Sequence, residues 1–292
     1  MKCKPSFFGS SSLPQIDLDP VVLEQIAKKS VDLGVTVPGV QKKLSMHLSE
    51  EGPLRLTLVG DPAGYILKPQ TEDFEQLPES EDLVMDIAEM MGVRTAPHGL
   101  IETSSGFAYI TKRMDRTDGQ MFAMEDFCQL SGRLTQDKYK GSYERCGAII
   151  RQYSERILFD LSEFFLRLLV CFVTGNSDMH LKNFSMIERD PASRQFVLAP
   201  AYDLLPVNVV MPEDTEETAL TLNGKKSRLQ RRDFLALAKT IGLPDHAAEN
   251  LLQSVVKRCD AAKQLCEDSY LSLERKARMI ELIEKRMEVL RS

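Results

Sequence analysis

Between residues 174 and 187 the chain reads T-G-N-S-D-M-H-L-K-N-F-S-M-I. Asp178, His180, Lys182 and Asn183 fall within six positions, with an apolar segment leading in and a short apolar segment leading out. A loop that only joins two elements has little use for that set of side chains. A positioned carboxylate can take the proton of a hydroxyl nucleophile. An amide oxygen five residues on can help hold a metal. Asp203 follows twenty residues after Asn183, behind the apolar run 196–198, and supplies a second oxygen ligand. The chemistry these types suit is attack by a hydroxyl on a metal-bound phosphate.

D-x-x-x-x-N, then a strand, then Asp is the spacing of the catalytic loop and second Mg²⁺ ligand of protein kinases. Taken singly, each residue is an ordinary cap or turn former, so the surrounding elements must decide. Lys68 ends a strand-like run over 65–67, which follows another over 54–59 and a Gly60-Asp61-Pro62 turn. A helix over 79–91, with Leu83, Ile87, Met90 and Met91 as its apolar stripe, carries Glu81 near its start. Lys68 and Glu81 are therefore a candidate ion pair of the kinase type. Upstream, Leu44, Met46 and Leu48 alternate with polar residues as in a half-buried strand. The preceding Pro38-Gly39 is turn chemistry. It is neither G-x-G-x-x-G nor a Walker loop, and alone it marks only a hairpin. Two further strands, 99–102 and 107–112, precede a linker over 112–116. Lys112 and Met114 would lie there beside a nucleotide base.

From residue 124 onward the periodicity predicts mostly helix: 124–130, 143–153, 159–173, 233–241, 246–258 and 272–290. Leu273, Met279, Ile280, Ile283, Met287 and Leu290 form an expected core-facing stripe in the last of these. The expected architecture is α+β: a bilobal protein-kinase-like fold, with a small β-rich lobe over 1–115 and a larger helical lobe over 116–292.

Composition sets outer bounds. The 292 residues are 43% hydrophobic and 27% charged, ordinary globular usage. A net charge of −6 argues against nucleic-acid binding over the whole surface. The six cysteines show no metal-ligand spacing and read as free thiols in a reducing cytoplasm. The most apolar stretch, 157–173, is broken by Asp160, Glu163 and Arg167, so it reads as a buried helix rather than a membrane span. No membrane partner is expected. The N-terminus lacks a signal-peptide core; a bacterial cytoplasmic location is the expectation, with export by another route left open. The basic cluster Lys225, Lys226, Arg228, Arg231 and Arg232 reads as a solvated face.

The assembled motifs resemble the kinase core of the HipA family of bacterial Ser/Thr kinases, the toxins of toxin–antitoxin systems. V-T-V-P-G-V-Q-K-K over 35–43 is similar to that family's V-S-I-x-G-A-Q-x-K. Y-I-L-K over 65–68 is similar to its strand ending in the ATP-binding lysine. M-E-D-F-C-Q-L over 124–130 is similar to its E-D-x-C-Q segment. G-N-S-D-M-H-L-K-N-F-S over 175–185 and P-A-Y-D over 200–203 match its catalytic loop and its P-x-Y-D.

The resemblance implies ATP and Mg²⁺ as cofactors, with Asp178 as catalytic base and Asn183 and Asp203 as metal ligands. Lys68 would contact phosphate and Glu81 would orient it. His180 and Lys182 would support the loop, and Val37, Gly39 and Gln41 would cover the phosphates. Thr36, where the family usually has Ser, would be a site of self-phosphorylation. The implied substrate is a translation protein such as an aminoacyl-tRNA synthetase. Few residues precede the turn, which resembles the shortened HipT type. That type implies a small HipS-like subdomain protein and a helix-turn-helix antitoxin as partners, with DNA reached only through the antitoxin. A small-molecule phosphotransferase, a non-toxin regulatory kinase and a partner-binding pseudokinase are the alternatives.

Overall fold

The computed structural model describes residues 5–8, 15–16, 43–48, 55–58, 64–103, 106–117 and 120–292. Thr36, Val37, Gly39 and Gln41 lie outside the described residues. The chain divides into two compact units. One comprises residues 1–82 and 96–117, the other residues 83–95 and 118–292.

The first unit is built on a six-stranded sheet of β1 (Gln15–Ile16), β2 (Leu44–Leu48), β3 (Arg55–Leu58), β4 (Tyr65–Pro69), β5 (His98–Thr103) and β6 (Gly106–Lys112). Their order is β1-β3-β2-β4-β6-β5, antiparallel except where β1 joins β3. The alternation in β2 does what its pattern predicts: Leu44 and Met46 are buried while Ser45 and His47 are exposed. Leu44, Met46, Leu56, Tyr65, Leu67, Ile101, Ala108 and Ile110 form one core with Phe7, whose carbonyl accepts a hydrogen bond from the Tyr65 hydroxyl at 2.8 Å. Strand β4 is longer than the sequence suggests, so Lys68 sits inside the ladder opposite Tyr109 rather than at the strand's end. At the end of β6, Arg113 grips Asp115 through two hydrogen bonds of 2.9 and 2.6 Å. These contacts and the Arg116 charge outweigh burial and hold the Asp115 carboxyl below its usual range.

The second unit is mainly helical. Helix Ile157–Thr174 is its axis, buried almost throughout from Asp160 onward. The charges that interrupt its apolar run are interior, and each meets at least one partner, although Arg167 Nε and Nη1 have none among the described residues. Asp160 accepts from the Leu198 amide and the Ser154 hydroxyl, both at 2.7 Å. Glu163 accepts from the Arg94 amide at 2.9 Å, and Arg167 lies 3.6 Å from Glu163 and donates to the Ala199 carbonyl at 2.8 Å. Buried charges persist only when partnered in this way. Around this helix pack Tyr143–Tyr153, Arg231–Ile241, Asp245–Lys257 and Leu273–Arg291.

Three details differ from expectation. Residues 124–126 are not helical: Met124–Asp126 is strand β7, paired antiparallel with β8 (Ser185–Glu188), which pairs in turn with β9 (Phe196–Leu198). Only Phe127–Leu130 is helical, started by Asp126 and Gln129 in a capping box. Sheet pairing overrides a propensity that was ambiguous. Leu273 does not join the core stripe and is 83% exposed, because it is the first residue of its helix, beyond the packed turns. A separate helix, Cys259–Asp268, follows where none was expected. Among the described residues, no helix is long and apolar enough to cross a membrane.

Candidate functional site

In the first unit Lys68 meets Glu81. The lysine Nζ lies 2.5 Å from Glu81 Oε1, with both side chains at most 3% exposed. Glu81 stands in the first turns of helix Leu77–Met90. Lys68 Nζ also lies 5.2 Å from the Tyr109 ring centroid, its cross-strand neighbour. Lys112 ends β6 and Met114 lies two residues beyond it, in the turn closed by Arg113 and Asp115.

In the second unit the axial helix stops at Gly175, whose φ of +71° is left-handed backbone. A Cβ there would lie 2.5 Å from Leu282 Cδ2 and 3.3 Å from Asn208 Cβ, so a side chain would have to push Leu282 aside as well as adopt left-handed backbone. The loop leaves the helix here and is fixed by its own side chains. Asn176 Oδ1 accepts from the Asp178 amide at 3.2 Å, and Asn183 Nδ2 donates to the Asp178 carbonyl at 3.0 Å. The Asn183 amide nitrogen is thus committed to the loop, and its oxygen remains an acceptor. Ser177 donates to Asp214 at 2.6 Å. The buried Tyr143 hydroxyl donates to the Met179 carbonyl at 3.1 Å.

Lys182 is held by Asp126 at 3.0 Å, which ties the 124–130 segment to this loop. His180 is 5% exposed, with its Nε2 4.0 Å from Asp178 Oδ2 and its Nδ1 without a hydrogen-bond partner. Burial lowers its affinity for a proton, partly countered by Asp178, so the ring is neutral at pH 7.

Asp203 is reached from β9 through Pro200-Ala201-Tyr202. The Ala201 amide donates to the Arg94 carbonyl at 2.7 Å. Tyr202 joins this segment to the loop: its hydroxyl donates to the Lys182 carbonyl at 3.0 Å and lies 2.5 Å from Ser185 Oγ. Asp203 itself has a φ of +56°, a conformation uncommon outside glycine that is often found at functional positions. The donors expected for a metal, the Asp203 carboxylate and the Asn183 amide oxygen, are hard and of a type that suits Mg²⁺. Cys171, at the end of the axial helix, does not suit nucleophilic chemistry: burial pushes its thiol up to about 12.

Sequence reasoning missed three contributors. Tyr139 donates to Asp178 Oδ1 at 2.7 Å. Asp126 and Tyr202 hold the loop from either side. Asp126 and Tyr202 lie within motifs already singled out, whereas Tyr139 lies in a segment with no periodic signal. The basic cluster is largely neutralised within the chain, with Lys225 on Asp233, Lys226 on Glu216 and Arg231 on Glu249.

The sequence matches the HipA-like C-terminal domain family over residues 35–263. The chain belongs to that family. A relative from Sinorhizobium fredii, named "Putative kinase Y4dM", is 31% identical over 242 residues, covering 77% of this chain and 58% of the relative. A Haemophilus influenzae relative, named "Putative kinase", is 27% identical over 270 residues, covering 82% of this chain and 76% of its own length. The chain thus spans under three-fifths of the first relative. The fold is shared with HipA of Shewanella oneidensis, solved with HipB and operator DNA, at a TM-score of 0.73 and 18% identity over 91% of this chain and 70% of that one. It is shared also with the Helicobacter pylori proinflammatory kinase CtkA, at 0.60 and 14% over 85% of this chain and 93% of that one. The α+β kinase-like fold expected for this HipA-family chain is therefore the one observed.

Proposed function

We propose that this chain is an ATP- and Mg²⁺-dependent protein kinase that phosphorylates serine or threonine, acting as the toxin of a toxin–antitoxin system. The observation that carries the reading is the buried Lys68–Glu81 pair in a HipA-like fold, since kinases need that pair to place a lysine on the nucleotide phosphates. In this reading Asp178 takes the proton of the acceptor hydroxyl as its oxygen bonds to the γ-phosphorus. The β,γ-bridging P–O bond breaks and ADP leaves. Asn183 and Asp203 would hold Mg²⁺, which when bound would supply positive charge to offset that on the phosphate oxygens. Lys182, His180 and the Asp126 contact keep the loop in shape, and Lys112 and Met114 border the base. Val37, Gly39 and Gln41 are assigned to the phosphate-covering turn.

The acceptor is proposed to be a protein of translation, such as an aminoacyl-tRNA synthetase. The Shewanella HipA complex with HipB and operator DNA supports a DNA-binding antitoxin as partner here. The test is γ-phosphate transfer by the purified chain. Asp178→Asn is expected to lower it by about 10²–10⁴-fold, the usual worth of a positioned base. The same variant is expected to abolish growth arrest on expression. Unchanged transfer by Asp178→Asn overturns the assignment of the base.

A further inference from the structure

Among the described residues four hydrogen bonds hold Asp178, one of them from the His180 amide to its carbonyl at 2.8 Å, and only one reaches its carboxylate. Its amide and carbonyl are fixed by Asn176 and Asn183, which set the backbone. The carboxylate is oriented by Tyr139, at 2.7 Å from Oδ1. The other oxygen, Oδ2, lies 4.0 Å from His180 Nε2, beyond hydrogen-bond distance.

Tyr139 is itself tied to the loop it serves. Its ring meets the His180 ring edge-on at 5.0 Å, and Lys138 Nζ lies 4.9 Å from its centroid on its own segment. The Leu181 amide donates to the Lys138 carbonyl at 3.1 Å. The segment carrying Tyr139 is therefore stitched to the catalytic loop by backbone as well as by side chain. Burial, then the Asp178 hydrogen bond, push the phenol's pKa well above its ordinary value, so the hydroxyl remains a donor.

We propose that Tyr139 is a positioning residue of the phosphotransfer site: it fills Oδ1 from within the chain and thereby presents Oδ2 to the acceptor hydroxyl. This rests on the kinase reading above. The Asp178 side chain is 43% exposed, and such a carboxylate can otherwise rotate about its terminal torsion, where the energy wells are broad. A base that wanders meets its proton in a poor geometry, which costs rate rather than nucleotide affinity.

The test uses the full chain with ATP and Mg²⁺, following γ-phosphate transfer to itself and to dephosphorylated casein. Tyr139→Phe keeps the ring on His180 and removes only the hydroxyl. It is expected to lower kcat about 10-fold, as loss of a hydrogen bond to a charged group does, with the KM for ATP and the melting temperature unchanged. In the Asp178→Asn background the same substitution is expected to cost nothing more, because Tyr139 acts through Asp178. Tyr139→Leu, which also removes the ring, shows what packing alone contributes. Unchanged kcat in Tyr139→Phe overturns the proposal and leaves the kinase reading intact. Raised kcat, or phosphate found on Tyr139 by mass spectrometry, overturns it in favour of a hydroxyl that occupies the acceptor's place. No transfer by the wild-type chain to either acceptor overturns the kinase reading and this proposal with it.

Discussion

Lys68 and Glu81 meet at 2.5 Å in an environment that admits almost no water, the lysine from inside a strand and the glutamate from the start of a helix thirteen residues on. Removing one partner takes away the opposite charge that faces the other at 2.5 Å in a nearly water-free setting. Glu81→Ala is expected to cost about 3–5 kcal/mol of stability. The paired replacement Lys68→Met with Glu81→Met should cost much less while still losing nucleotide affinity. Chemical denaturation and nucleotide titration of the two variants check this, and equal stability losses for the single and the double variant would refute it.

Asp203 combines a ligand-type side chain with left-handed backbone. Asparagine tolerates that backbone, so Asp203→Asn is expected to fold as the wild type does. It should lose most of the thermal stabilisation that Mg²⁺ with ATP provides, about 2.7 kcal/mol at a ligand concentration one hundred times Kd. Chelating Mg²⁺ with EDTA should bring the wild type to the same melting temperature as the variant. Full stabilisation of Asp203→Asn by Mg²⁺ and ATP would remove Asp203 from the metal site.

Thr36 is proposed as the main self-phosphorylation site. A phosphate there adds nearly two negative charges, which repel those of a nucleotide and should weaken ATP binding. Peptide mass spectrometry of protein expressed with and without Asp178→Asn is expected to show Thr36 phosphate only with the intact base. Phosphate on Ser45 alone would place the modification elsewhere.

Asp233 is 1% exposed. Burial opposes its ionisation, yet hydrogen bonds from Lys225, Asn223 and the Gln230 amide prevail and hold the carboxyl below its ordinary range. Because the folded value lies below the unfolded one, the stabilisation is complete above about pH 4 and is lost as pH falls through the folded value. Asp233→Asn is expected to cost about 1–3 kcal/mol at pH 7. That gap should narrow in melts near pH 3; a gap that widens there would refute the assignment.

The sequence by itself determined what depends on neighbours along the chain. Alternation in 44–48 follows the two-residue strand repeat, and the buried run 157–173 follows from its near-continuous apolarity. Asp178 and Asn183 share one loop, so their spacing alone suggests joint work, and Gly175 at a helix end follows from local backbone sterics. Tertiary structure decided what depends on distant partners. The glutamate expected for Lys68 lies on a helix that also carries Glu79 and Asp82, and only packing brings Glu81 to it. Met124–Asp126 is a strand because Ser185–Glu188, sixty residues later, offers it a ladder. Leu273 was counted with a stripe whose period it fits, but its place at the helix start leaves it without a packing surface. Tyr139 carries no pattern at all. Its hydroxyl matters because the fold sets it 2.7 Å from a carboxylate thirty-nine residues away, a relation no local periodicity encodes.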